Sequence, residues 1–300
     1  MLLLFDNLLR TFMIIPKKSD LHKNYKLILC DIWGVIHNGK DYYPKAVEFL
    51  RDFQRQGGLV FLITNAPRRS SVVRDYLLNM GIDKLICENI ITSGDCSYNW
   101  ICSVADKPIF HIGPKKDYSL FSDLDLNLAD QKSCSECICT GFFDEYTETL
   151  NDYEELLNTL LDRNIKIHCA NPDLYVHRGE IKLPCAGLIA QKYNQMGGNV
   201  SYFGKPFKPI YELALDEANK RQKKLISKSD ILAIGDGLHT DISGADNFKI
   251  DSMFILNGVH KNDIVNKNHS SKIDIDMIRD YISSNFSLSE EPRYIQTELK

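Results

Sequence analysis

The chain has no surplus of positive charge: 36 lysines and arginines stand against 40 aspartates and glutamates, for a formal net charge of −4. Without a basic stripe, a nucleic-acid backbone or an anionic membrane surface is excluded as the main partner. A long apolar run is also missing. The opening MLLLFDNLLRTFMII is short, is broken by Asp6 and Arg10 and lacks a basic start, so it is expected to be a helix docked on the body, and neither a signal peptide nor a spanning segment. GVIHNG after Asp31 is not GxGxxG, and nothing reads GxxxxGK[ST], which disfavours the glycine-rich nucleotide-binding folds. In CSECIC, Cys134, Cys137 and Cys139 have no histidine or second cysteine pair at zinc-site spacing, and ECICTG reads as a buried strand ending in a turn. Nine cysteines with no secretory signal point to free thiols in a reducing cytoplasm. Internal repeats, heptads and low-complexity tracts are absent. A small molecule becomes the default partner.

What is present is an ordinary globular composition, 44% hydrophobic and 25% charged over 300 residues, enough for one large or two medium domains. KLILCD and GLVFLITN are short apolar runs separated by YPKAVEFLRDFQRQGG. That spacer carries Val47, Leu50 and Phe53 at helical spacing, Pro44 near its start and Gly57 after its end. The unit is β-α-β. Strand patterns (PIFHIG, ECICTG, IKIHCAN, NVSYF, DILAIGD, DSMFIL) go on alternating with helical ones (SVVRDYLLNMG, NDYEELLNTLLDRN, AGLIAQKYNQMGG, PIYELALDEANKRQ). The expectation is α/β architecture with mostly parallel sheets. The strands outnumber what one compact sheet needs, so an α/β domain is expected to be inserted at 93–186, between core segments 1–92 and 187–300. The polar tail SEEPRYIQTELK is expected to be loosely held.

In open parallel sheets ligands gather outside the carboxyl ends of strands, so the polar residues that end each apolar run carry the information. Asp31 follows KLILC, Thr64 and Asn65 follow GLVFLI, Gly204-Lys205-Pro206 precedes PIYELAL, and Asp236 follows ILAIG with Asp241 shortly after. Acids from two strands suit a hard divalent cation such as Mg²⁺. A hydroxyl, an amide and an ammonium group suit a phosphoryl group. Taken singly, each of these is common helix-cap or turn material.

In order, the motifs DIWGVIHNG, LITNAPR, GKPFKPIY and ILAIGDGLHTDISGADN resemble the haloacid dehalogenase (HAD) superfamily, in its class IIA, NagD-like and p-nitrophenylphosphatase-like branch. The resemblance covers roughly residues 25–260. It implies a Rossmann-like core with an inserted cap and a Mg²⁺-dependent phosphohydrolase acting on a small phosphorylated metabolite, a sugar phosphate or a nucleotide. It also implies that Asp31 attacks phosphorus to form an aspartyl-phosphate. Thr64 and Asn65 would bind the phosphoryl group and Lys205 would neutralise it. With Asp31, Asp236 would ligate the metal directly, Asp241 would hold a metal-bound water, and the Trp33 carbonyl would complete the shell. Asn171 and Asp173, in the loop ANPDLYVHRGEIKLPCAG, would contact substrate from the cap.

One position departs from the family. Most phosphatases of the superfamily read DxD, the second Asp serving as general acid and base, and Trp33 stands there instead. A carbonyl serves a metal whatever its side chain, but the proton role is lost, and general acid–base catalysis is typically worth about 10²- to 10⁴-fold. His37, the one titratable side chain after Asp31 in that motif, is a candidate substitute, against the plainer reading that it packs beneath the cap or bonds the hinge backbone. Trp33 is a candidate stacking surface for a substrate ring, or simply packing. The altered motif keeps two other readings open: a weakly active or inactive phosphometabolite sensor, and a HAD hydrolase of other chemistry. A homodimer is one option for assembly.

Overall fold

The computed structural model describes residues 18–178, 181–264 and 274–300. The helix expected over MLLLFDNLLRTFMII lies outside them. In chain order the described strands are β1 (Leu27–Asp31), β2 (Leu59–Thr64), β3 (Ile90–Thr92), β4 (Ile109–Ile112), β5 (Glu136–Cys139), β6 (Ile167–Cys169), β7 (Tyr175–Arg178), β8 (Ile181–Pro184), β9 (Val200–Tyr202), β10 (Ile231–Gly235), β11 (Asp251–Ile255) and β12 (Tyr294–Gln296). By contacts the chain forms two compact units. The first comprises the chain up to Ile63 with Leu77–Asn89 and Ala214–Lys300, and the second Thr64–Tyr76 with Ile90–Leu213.

Five strands of the first unit run in the order β12-β11-β10-β1-β2, and each adjacent pair is parallel. LILCD and ILAIG are buried at every position, as uninterrupted apolar runs are when helices cover both faces of a parallel sheet. The register pairs Cys30 with Ile234. Asp31 therefore ends its strand on the same edge as Asp236, and the acids of two neighbouring strands emerge together. The spacer between β1 and β2 is the expected helix, Pro44–Arg55. Proline fits its first turn, where the missing N–H has no helical partner. Its apolar face buries Ala46, Val47, Phe49, Leu50 and Phe53.

The tail is not loose. Tyr294, Ile295 and Gln296 form β12 alongside β11, Ile295 is fully buried, and Leu299 is buried as well. Ile295 joins Leu238, Ile242, Phe254, Leu256, Ile264, Ile278 and Ile282 in one apolar cluster beneath the helix Ile275–Asn285. Alternating charged residues hide a strand of three residues, and a buried isoleucine contributes about 1.5–3 kcal/mol, enough to anchor it.

The second unit holds a parallel sheet, β4-β5-β6-β9, and an antiparallel hairpin, β7-β8. ECICTG is the expected buried strand. Cys134, Cys137, Cys139 and Cys169 pack with Leu157, Leu160, Ile167 and Tyr193 in its core. All nine cysteines are free, and Cys102 is the exposed one. The sheet takes its fourth strand from β9, just before Lys205. Among the described residues no helix is long and apolar enough to cross a membrane.

Candidate active site

The first unit brings Asp31, Asp236 and Asp241 together. All three are buried, and one carboxylate oxygen from each lies within 4.8 Å of the others. Oxygens across one Mg²⁺ sit about 4.2 Å apart, twice the Mg–O distance, so the spacing is on the scale of a shared ion. Buried like charges at this range repel strongly, and a divalent cation offsets that repulsion. A donor set of hard oxygens alone fits Mg²⁺ and does not suit a softer thiophilic metal.

Backbone fixes two of these acids. Val259 N–H donates to Asp236 Oδ2 at 2.8 Å, and Gly237 N–H donates to Asp241 Oδ2 at 3.0 Å. Asp241 lies in a π-helical turn, Leu238–Ile242, a local geometry frequent at functional sites. Gly34 follows Trp33 with φ +83°, and a Cβ there would overlap the Asp236 carboxylate. The Trp33–Gly34 backbone thus passes directly against Asp236, the place from which a main-chain carbonyl would serve the same cation.

The Trp33 indole is half-buried and meets the His37 ring edge-on, with centroids 5.1 Å apart. His37 is buried, its Nδ1 accepts from Gly39 N–H at 2.8 Å, and burial lowers its pKa to about 4. An acceptor Nδ1 assigns the proton to Nε2 in a neutral ring. This is the backbone-bonding arrangement, with the ring held neutral near neutrality by burial.

A second group forms within the second unit. Asn65 Nδ2 donates to Asp173 Oδ1 at 2.8 Å and to the Lys205 carbonyl at 3.0 Å, while Asn65 Oδ1 accepts from Lys205 N–H at 2.7 Å. The carboxamide brackets the backbone of a buried lysine, and both amide hydrogens are engaged. The side chain of Asn65 thus positions the Lys205 backbone. Thr64 ends β2, and its Oγ1 accepts from Ala66 N–H at 3.2 Å. Asn171 Oδ1 accepts from Asp173 N–H at 3.1 Å, an Asx turn that sets the cap loop. Asp173, expected at the substrate, is the carboxylate that accepts from Asn65.

Sequence reasoning missed the segment that supports Asp236. Gly258 approaches that carboxylate so closely that a Cβ would overlap Oδ2, and His260 accepts from Leu238 N–H through Nε2 at 3.3 Å. The available signal was a glycine ending the apolar run DSMFILNG.

The haloacid dehalogenase-like hydrolase family matches residues 28–127, and a HAD-hydrolase-like family matches residues 202–283. A solved hydrolase of the haloacid dehalogenase-like family from Brucella suis 1330 is 34% identical, covering 96% of this chain and 100% of that one, with a TM-score of 0.80. The chain belongs to the haloacid dehalogenase-like hydrolases, and it is an enzyme of that class. Among its curated relatives, an acid sugar phosphatase of Staphylococcus saprophyticus is 24% identical over 250 residues, 82% of this chain and 92% of that protein. The 5'-nucleotidase YutF of Bacillus subtilis is 24% identical over 243 residues, 80% and 90% of the two chains.

Proposed function

We propose that this hydrolase is a Mg²⁺-dependent phosphatase of a small phosphorylated metabolite, acting through an aspartyl-phosphate on Asp31. The observation that carries the reading is the buried convergence of Asp31, Asp236 and Asp241 at the ends of adjacent parallel strands. Asp31, Asp236, Asp241 and the Trp33 carbonyl would hold the cation, which when bound screens charge between nucleophile and phosphate. The Asp31 carboxylate attacks phosphorus, the P–O bond to the leaving group breaks, and water later cleaves the acyl phosphate to release phosphate and restore the carboxylate. Lys205 contributes the fixed positive charge and Thr64 a hydroxyl.

The substrate class is a sugar phosphate or a nucleotide, in keeping with relatives named for each. The inserted domain, 93–186, serves as the cap that selects among them, with Asn171 shaping its loop. Nine free thiols suit a reducing compartment such as the cytoplasm. A panel of sugar phosphates, nucleotides and aryl phosphates, assayed with Mg²⁺ and with EDTA, tests the reading. Phosphate release that EDTA abolishes is the expected result. Binding without turnover on every member would transfer the chain to the sensor class that Trp33 keeps open.

A further inference from the structure

One acid of the cation cluster, Asp236, and the turn that carries another, Asp241, are each bonded by a segment that belongs to none of the motifs. We propose that Leu256–His260 is a positioning element for the metal-binding carboxylates, braced from behind by the C-terminal strand; this rests on the Mg²⁺ site proposed above. Leu256 N–H donates to the Gln296 carbonyl and Asn257 N–H to the Thr297 carbonyl, each at 2.9 Å, so the segment extends the β11-β12 pairing beyond the strands. The chain then turns at Gly258, whose missing Cβ lets the backbone lie against Asp236, and Val259 N–H reaches Asp236 Oδ2. The Val259 side chain is 67% exposed, so its contribution is through the main chain.

His260 acts on the other acid. Its Nε2 accepts from Leu238 N–H and its Nδ1 lies 3.2 Å from the Tyr281 hydroxyl. With Nε2 as acceptor, Nδ1 carries the hydrogen and donates to Tyr281, which in turn donates to Asp263 Oδ2 at 3.4 Å. Leu238 opens the turn that carries Asp241, so the imidazole holds that turn by its first N–H. His260 and Val259 are adjacent, and a single short segment thereby sets the relative placement of two ligands that follow β10. Outer partners of this kind orient ligands, and losing one typically costs about 10- to 100-fold in metal affinity.

The test uses the full chain. Mg²⁺ affinity is measured by titration calorimetry for wild type, Val259→Pro, which deletes the N–H, and for His260→Ala and His260→Gln, alongside metal-free melting temperatures. The expected result is Mg²⁺ binding about 10- to 100-fold weaker in Val259→Pro and His260→Ala. The glutamine amide oxygen should restore much of the His260 loss, and turnover in the weak binders should recover when Mg²⁺ is raised to saturation. If Val259→Pro fails to fold, the His260 pair decides. Unchanged Mg²⁺ affinity in folded His260→Ala, or loss that glutamine does not repair, overturns the proposal while leaving the phosphatase reading intact. Wild type that binds no Mg²⁺ overturns both.

Discussion

Both parallel sheets are built from apolar strands, but the residues just beyond their carboxyl ends are opposite in charge and differently held. β1 and β10 of the first unit lead into Asp31, Asp236 and Asp241, and main-chain N–H groups of Val259 and Gly237 fix two of those acids. β9 of the second unit leads into Lys205, fixed by the side chain of Asn65 from 140 residues away in sequence. A carboxylate bonded by main chain tolerates side-chain change around it, whereas the Lys205 backbone N–H is bonded by a carboxamide that substitution can remove. The two groups, each within its own unit, are therefore positioned by different means.

The largest expected effect comes from the acidic cluster itself. Asp31→Asn should lower phosphatase turnover by about 10⁴-fold or more, with an unchanged circular-dichroism spectrum. Residual activity near wild type would remove the covalent mechanism. The next effect concerns protonation. With tryptophan where the family has its proton donor, aryl phosphates should turn over far faster than alkyl phosphates, and Trp33→Asp should raise alkyl activity by about 10²-fold. Equal wild-type rates on both classes would locate a general acid elsewhere.

A smaller effect tests the contrast between the two groups directly. Asn65→Ala leaves the buried Lys205 N–H without its acceptor, at a cost of about 1–3 kcal/mol, and should raise KM while Mg²⁺ affinity stays as in wild type. Denaturant unfolding and Mg²⁺ titration on the same variant measure both. Loss of Mg²⁺ binding in Asn65→Ala would contradict the independence of the acidic cluster from the Asn65–Lys205 pair.

The smallest effect is shared. His37 in the first unit and His111 in the second are both buried, and burial lowers each pKa to about 4 from an ordinary 6.5. Each folded ring is neutral where the unfolded one takes up a proton, so the stabilisation is complete above pH 6.5 and is lost progressively as pH falls from about 6.5 to about 4. The urea midpoint should be flat above neutrality and decline across that window, and His111→Asn should shallow the decline. A midpoint independent of pH there would contradict the burial of both rings.

How much was legible divides along the same line. Local patterns announced β1, β2, β10 and the helix at Pro44–Arg55, because apolar runs and helical spacing are properties of contiguous residues. The in-register neighbours β1 and β10 make Asp31 and Asp236 converge, which strand order alone suggested. Asn65 illustrates what was hidden. Its residue type suggests phosphate binding, and only the fold shows its amide bonded to Lys205 and Asp173. β12 and the β7-β8 pair were hidden for another reason: their strands are short and charge-flanked, and pairing with a neighbouring strand stabilises them more than their own propensity. The Gly258–His260 segment had only a glycine to mark it.

The free thiols have a consequence for tracking the molecule in motion. Cys30 and Cys87 belong to the first unit, and Cys137, Cys139 and Cys169 to the interior of the second, all of them buried. Burial also holds the thiols of Cys137, Cys139 and Cys169 well above their ordinary pKa, so little reactive thiolate forms while the second unit stays closed. The protein thus carries native clocks in both bodies: alkylation of each cysteine, resolved by mass spectrometry, times the opening of its own unit without any introduced label.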